Sequence, residues 1–321
     1  MKYFAPDYYH DFSCIAGECR HSCCAGWEID IDEETLEKYL SMEGETGELL
    51  RRHIDTSGET ACFKMTGDER CPFLNRDGLC DLILSEGDGI LCQICTDHPR
   101  FRNFYQDREE IGLGLCCEAA VRLILTRQEP ARLVLLEDDG WDDEPDEAEE
   151  ALLEVRGQLI RIMQDRELTV GERIERMLGR LGIGMPDTDY VKWAEYLAGL
   201  ERLEDTWAER LGEMKDAPEA DESVLLTEEW ETAFEQLTVC LLYRHVPAAL
   251  QDGDVAGRVR MVVLFLRIIR RLCALHAALH GGISMDDAVE LVRLYSSEIE
   301  YSDVNIDAVL AALEEEEQKE E

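Results

Sequence analysis

The second half of the chain is written in the helical period. Leu152, Val155, Leu159, Ile162 and Met163 recur at three-to-four spacing, as do Val262, Phe265, Ile269 and Leu272 with arginines between them. Such a stripe turns one apolar face toward a core. Further helical stretches run over 190–207, 227–243, 285–295 and 303–313, separated by segments that contain glycine or proline. Earlier, 32–40 reads as a short helix opened by the acidic cap Asp32. Residues 118–127 start another, with Ala119, Ala120, Leu123 and Ile124 on one face. The rest of the first 126 residues reads as short elements between turn signals at Cys71-Pro72, Asp77-Gly78, Gly87-Asp88-Gly89 and His98-Pro99. Period-two alternation is scarce and no internal repeat is visible. The expected fold is mainly α. An irregular cysteine-rich metal-binding N-terminal module (1–126) is followed by an acidic linker (127–150) and an α-helical domain with a solvated acidic tail (151–321).

Composition narrows the function. The 321 residues carry 72 Asp and Glu against 32 Lys and Arg, a net charge of −40. Phosphate contacts need clustered cations, so nucleic acid is excluded as a general partner, and anionic membrane surfaces are disfavoured. A basic, lysine-bearing protein suits this charge. Over 137–150, ten of fourteen residues are acidic, which is the basis for the linker. The first residues lack an apolar stretch of signal-peptide length. The most apolar run, Met261 to Leu266, is flanked by Arg258, Arg260, Arg267, Arg270 and Arg271 and is too short to span a bilayer. A cytoplasmic protein with no membrane segment is expected. Gly179, Gly182 and Gly184 form a glycine-spaced run, but no strand precedes it, so it reads as a helix end and not as a dinucleotide-binding turn.

The cysteines carry the chemistry. Eleven of the 13 lie in the first 117 residues, a concentration that cysteine used as a small buried hydrophobe would not show. Disulfides need an oxidising compartment, and the vicinal pairs Cys23-Cys24 and Cys116-Cys117 would strain the intervening peptide if bridged. Thiolate ligation of a metal is the better reading. Only Cys92-Gln93-Ile94-Cys95 has the spacing of a zinc knuckle. The first group, Cys14-x4-Cys19-x3-Cys23-Cys24, has the mixed spacing of a cluster-binding loop. An iron–sulfur cluster is favoured, with zinc as the alternative. His98, three residues after Cys95, is a further possible ligand. Cys116 and Cys117 precede a helix, whose positive end favours thiolates. Cys240 and Cys273 lie on apolar helix faces and read as buried thiols.

The stretch from Phe12 to Trp27, with Cys14, Cys19, Cys23 and Cys24, resembles the N-terminal signature of the flagellin lysine-N-methylase family. Three more blocks are similar to it: Cys71-Pro72-Phe73-Leu74 with Gly78-Leu79-Cys80, Leu91 to Cys95 with His98-Pro99-Arg100, and Cys116-Cys117-Glu118 running into Arg122 to Leu125. Tyr243-Arg244-His245 and the stretch from Ser296 to Ser302 echo its C-terminal half. The sequence differs from the family pattern at Cys117, Ser297 and Tyr301. The resemblance implies a methyltransferase that uses S-adenosylmethionine, acts on lysine ε-amino groups of flagellin and needs a cysteine-bound [4Fe-4S] cluster. The candidate metal ligands are Cys14, Cys19, Cys23, Cys24, Cys71, Cys80, Cys92, Cys95 and Cys116.

Methylating lysine requires removing its proton, a task for carboxylates or tyrosines. Glu118, Tyr243, Glu298 and Tyr301 are the candidates. Arg100 and Arg244 could grip a carboxylate of the cofactor, and Trp27, beside Cys24, could shield the cluster. The alternative is a non-catalytic zinc or iron–sulfur module that recruits a protein partner, with each of these side chains in an ordinary packing or ion-pair role.

Overall fold

The computed structural model describes residues 1–141, 143–187, 189–217 and 220–320, without the side chains of 319 and 320. Asp142 of the acidic run and Glu321 of the acidic tail lie outside the described residues. The chain divides into two compact units. A cysteine unit comprises Ser13–Arg100 with Cys117–Ala119, and a helical unit comprises Met1–Phe12, Phe101–Cys116 and Ala120–Glu321.

The chain begins with β1 (Lys2–Pro6), which belongs to the helical unit. The cysteine unit then opens with a loop that holds one 3-10 turn, Ala16–Glu18, and with β2 (Asp30–Ile31). Helix α1 (Glu33–Ser41) starts where the Asp32 side chain accepts from the Thr35 amide, and α2 (Gly44–His53) follows. Strands β3 (Ile54–Asp55) and β4 (Ala61–Phe63) complete an antiparallel three-stranded sheet of order β2-β4-β3. Two short helices, α3 (Asp81–Glu86) and α4 (Gln93–Asp97), end the unit. Its core stacks Tyr39 on Phe63 and sets Phe63 edge-on to Phe73, with Leu50, Ile54, Cys71 and Cys92 buried among them.

In the helical unit, β5 (Arg100–Phe104) and β6 (Arg108–Leu113) join β1 and β7 (Leu133–Asp138) in a sheet of order β5-β6-β1-β7. Strand β1 runs parallel to β6 and antiparallel to β7. Between them, α5 (Glu118–Leu125) buries Ala120, Val121 and Ile124. Among the described residues nine α-helices follow. They are α6 (Glu147–Met163), α7 (Val170–Leu181), α8 (Tyr190–Ala198), α9 (Asp205–Asp216), α10 (Glu228–His245), the single turn α11 (Ala249–Asp252), α12 (Val255–His280), α13 (Met285–Tyr295) and α14 (Asp303–Glu320). Helices α10 and α12 pack together and are buried on nearly every side, as expected of a helix whose apolar residues encircle it.

Several expectations need correcting. The N-terminal segment does not belong to the cysteine module, because β1 is an interior strand of the other unit's sheet. Residues 127–150 are not a plain linker: Leu133–Asp138 is the edge strand β7, and α6 starts at Glu147. The 190–207 stretch is two helices, α8 ending at Gly199 and α9 starting after Glu204. The acidic tail is the last turns of α14. There Glu316 is buried against Arg260 at 3.7 Å and Lys192 at 2.9 Å. The glycine-spaced run does close a helix: Gly182 caps α7 at φ 69°, a left-handed conformation that glycine adopts without strain.

Candidate functional site

The cysteine unit assembles its thiols from loops, each tied down by backbone contacts. Gly17 lies so close to the Asp77 carbonyl that an added Cβ would sit 2.8 Å from it. This is why a glycine stands between Cys14 and Cys19. Glu118, at the start of α5, accepts from the Arg20 backbone N–H and from Arg20 Nε, both at 3.0 Å, and so clamps the loop that carries Cys19. The Cys24 carbonyl accepts from the Cys71 amide at 2.7 Å, and Ala25 bridges Arg70. Leu74 and Cys80 bridge in the same way. Cys92 is the residue that opens α4, and Cys95 lies in its first turn. Asp32 Oδ2 accepts from the Gln93 amide at 2.8 Å, joining the starts of α1 and α4.

All 13 cysteines are free thiols. Electrostatics sort those of the cysteine unit, Cys62 excepted, into two groups. Burial first, then Cys117, Cys14 and Glu118, push the Cys19 thiol up to about 11. Burial first, then Cys24, Cys80 and Cys92, push Cys71 up to about 12. Cys23 donates to Cys24, holding Cys24 down at about 7 and Cys23 far above the usual thiol range. Cys95 donates to Cys92 with the same opposite effects on the two sulfurs. Cys62 stands apart on β4: its thiol faces Glu28, which raises it to about 11. Among the described residues, no three His, Cys, Asp or Glu side chains form a site for a metal ion.

Trp27 and His98 complete this unit's candidate site. The Trp27 Nε1–H donates to the Cys23 carbonyl at 2.7 Å, and its ring stacks on His98 with centroids 6.2 Å apart. His98 is half-buried, its buried Nε2 has no hydrogen-bond partner, and desolvation holds its pKa down at about 4.

The helical unit contains a second polar site where α13 continues into a π-helical turn, Ser296–Glu300. Such turns are frequent at functional sites. Glu300 is buried, and its Oε2 lies 2.8 Å from His245 Nε2. Burial keeps the imidazole neutral, because desolvation outweighs the attraction of Glu300. Hence Nε2–H donates to the Glu300 carboxylate. Arg244 donates to the Tyr301 hydroxyl at 3.1 Å and to the Glu300 carbonyl at 3.3 Å. Its guanidinium lies over the rings of Tyr301 and Phe101, at 4.2 and 5.3 Å.

Comparison with known proteins places these features in a family. The model described as the FliB lysine N-methylase C-terminal domain matches residues 186–320. The chain is 30% identical to the Lysine-N-methylases of Salmonella typhimurium and Salmonella choleraesuis over 37% of its own length, and spans 31% of each of them. It is 30% identical to the Flagellar biosynthetic protein FliU of Salmonella muenchen and covers 75% of that protein. The chain belongs to the flagellin lysine-N-methylase family. No solved structure is similar. The matched methylase domain takes in α8 through α14, and with them the π turn, Arg244 and His245; the thiol loops of the cysteine unit precede it.

For a flagellin lysine-N-methylase-family chain, the candidate residues fall in several places. Of the expected ligands, Cys14, Cys19, Cys23, Cys24, Cys71, Cys80, Cys92 and Cys95 lie in one unit; Cys116 lies in the other, against Tyr301. The cysteine that joins Cys19 is Cys117, which the sequence reading left out. Cys117 acts on Cys19, while its neighbour Cys116 acts on Tyr301. Glu118 is an anchor for Arg20. Tyr243 is buried, with the Arg156 guanidinium 5.0 Å over its ring. Glu298 does not face Tyr301: its oxygens accept from the Leu203 and Glu204 amides at 2.9 and 2.7 Å, where they cap α9. Arg100 Nη1 donates to the Thr96 carbonyl at 3.3 Å. The sequence reading included His245 and Glu300 in the C-terminal echoes of the family but not among the candidate site residues. The signal was present: a histidine and a glutamate inside two apolar helical runs, where an unpaired charge would be costly.

Proposed function

We propose that this chain is a protein-lysine N-methyltransferase that acts on flagellin, takes its methyl group from S-adenosylmethionine and holds a [4Fe-4S] cluster on its early cysteines. Family membership carries the transferase reading, since the relatives are named lysine-N-methylases and a flagellar biosynthetic protein. The chain spans about a third of the length of the two lysine-N-methylases.

The residues present fit a cluster. Five soft donors, Cys24, Cys71, Cys80, Cys92 and Cys95, sense one another inside a single unit, and thiolates are the ligands such clusters take. A cluster binds one thiolate per iron, so its ligands stand farther apart than those around one ion. The orphaned Nε2 of half-buried His98, stacked on Trp27, also fits a site built for a polar occupant. When bound, such a group supplies an electron-transfer centre and a cross-link that folds the loops.

The chain's own groups have separable tasks. Glu118 holds the Cys19–Arg20 loop in place. His245 keeps its proton at Nε2 toward Glu300, and Glu300 in turn fixes Arg244. With its donors committed to Tyr301 and Glu300, Arg244 is a positioning residue for Tyr301 and not a free fork for a cofactor carboxylate. Tyr301, half-exposed at the outer end of this network, is the group best placed to meet a substrate amine. Incubating the protein with S-adenosylmethionine and flagellin tests the reading by mass spectrometry. The expected result is a mass gain of one CH2 group per methyl, mapped to lysines. Unmodified flagellin from a folded, iron-loaded protein would leave the non-catalytic recruiting module as the remaining account.

A further inference from the structure

The cysteine unit contains a cavity of about 360 Å³ outside the thiol groups, between the Gly26–Glu28 loop and the strand pair that ends in Phe63–Met65. That volume lies within the range of small-ligand sites, about 300–1,000 Å³. Its apolar walls are the Trp27 indole, Phe63 and Met65, with the lone Cys62 thiol among them. Its rim is acidic: Glu28, Asp55 and Glu69. Lys64 is the one cation among the lining residues, and its ammonium donates to the Arg52 carbonyl at 3.4 Å.

The walls are fixed before any ligand arrives. Trp27 is pinned through its Nε1–H to the Cys23 carbonyl and stacked on His98. Phe63 is held edge-on to Phe73 in the core. The rim is fixed too. Asp55 accepts from the Ser57 amide at 2.9 Å, and Glu28 is engaged by the Cys62 thiol. Glu69 is held at φ 52°, a conformation that few non-glycine residues adopt, while its carbonyl accepts from the Gly26 amide at 2.9 Å. Strain at a pocket rim is the kind of local cost that a fold retains at binding sites.

We propose that this cavity receives the side chain of a docking lysine on the protein substrate, a different lysine from the one that is methylated, the four methylenes lying against Trp27 and Met65 and the ammonium among the carboxylates of the rim. The chemistry of the lining matches that side chain and few others. A purely apolar group would bury three carboxylates without compensation. An anion would be repelled by the same three groups. A lone divalent cation needs converging oxygens that the described residues do not supply. An alkylammonium meets both halves of the lining, with the indole adding a cation–π term. The chain's net charge of −40 steers such a side chain inward. This inference rests on the lysine-methylase reading and assigns it a substrate-binding subsite.

The test uses the full chain and Nα-acetyl-lysine methylamide as probe, with binding read by saturation-transfer NMR. Its norleucine analogue keeps the stem and loses the ammonium. Saturation transfer to the δ- and ε-methylene protons is expected for the lysine probe, with no competition from norleucine. The double variant Glu28→Gln/Glu69→Asn, in which asparagine tolerates the left-handed backbone, should bind about tenfold or more weakly. Lys64→Glu, a change at an exposed position, should bind more tightly and guards against a folding defect in the double variant. Equal binding of norleucine, or unchanged binding in both variants, overturns the proposal. Lysine binding without flagellin methylation would remove the methylase reading and leave the subsite standing. Methylation with probe binding unaltered in both variants would do the reverse.

Discussion

Single side chains decide how the second polar site behaves. His245 has its pKa below the ordinary 6.5, through burial first, opposed by Glu300 and assisted by Arg244 and Arg258. Glu300 also lies below its ordinary 4.5: the hydrogen bond from His245 and the nearby Arg244 outweigh burial. In both cases the unfolded chain binds protons before the folded one does. Stability is therefore fully present above about pH 6.5, and is lost as pH falls below it through the folded values. Urea denaturation at pH 7.5 and pH 5.5 should show a loss of stability for the wild-type protein and a smaller loss for His245→Asn. Equal losses would mean that the pair does not set the acid limb. This pair was poorly legible in the sequence, because nothing in one strand of text joins residue 245 to residue 300. Cys240 and Cys273 were legible, because a thiol on an apolar helical stripe has nowhere else to go, and both are buried.

At the level of elements, helices were readable wherever a cap and a stripe coincided. Asp32 opens α1, and Ser284 with Asp287 closes a reciprocal capping box at the start of α13. The sheet was hidden for physical reasons. Strand β6 carries Arg108, Glu109 and Glu110, and their charges are spent on partners: Glu110 makes a two-pronged pair with buried Arg156, at 2.7 Å on both oxygens. Strand β7 runs into acids, and β1 ends in a proline. None of the three shows clean alternation. One contact ties this sheet to the π-turn site. A Cβ on Gly112 in β6 would collide with the Phe101 ring, and that ring lies beneath Arg244. Gly112→Ala should cost about 1–3 kcal/mol from overpacking. It should also loosen Arg244 from Tyr301, lowering methyl transfer more than a surface Gly→Ala of equal stability cost. Thermal unfolding beside initial rates checks both; a stability loss with no excess rate loss would separate the sheet from the site.

For the molecule as a whole, the cysteine distribution along the chain foretold a dedicated unit, and the fold provides one. Its boundaries were not legible, because the chain enters the helical unit through β1, leaves it for 88 residues, Ser13–Arg100, and returns through β5. Composition cannot show a strand that pairs with a partner a hundred residues away. No helix among the described residues is long and apolar enough to cross a membrane. The acidity extends from the bulk composition to the rim of the cavity beside Trp27, where the proposed lysine would meet it. The proposed function joins these levels through the thiols of the cysteine unit, which it assigns to one inorganic group. The most direct measurement is iron and acid-labile sulfide in anaerobically purified wild-type, Cys71→Ser and Cys62→Ser proteins. Both elements should be present in the wild type and in Cys62→Ser and be lost in Cys71→Ser; a wild-type protein carrying zinc, or no metal at all, would contradict the account.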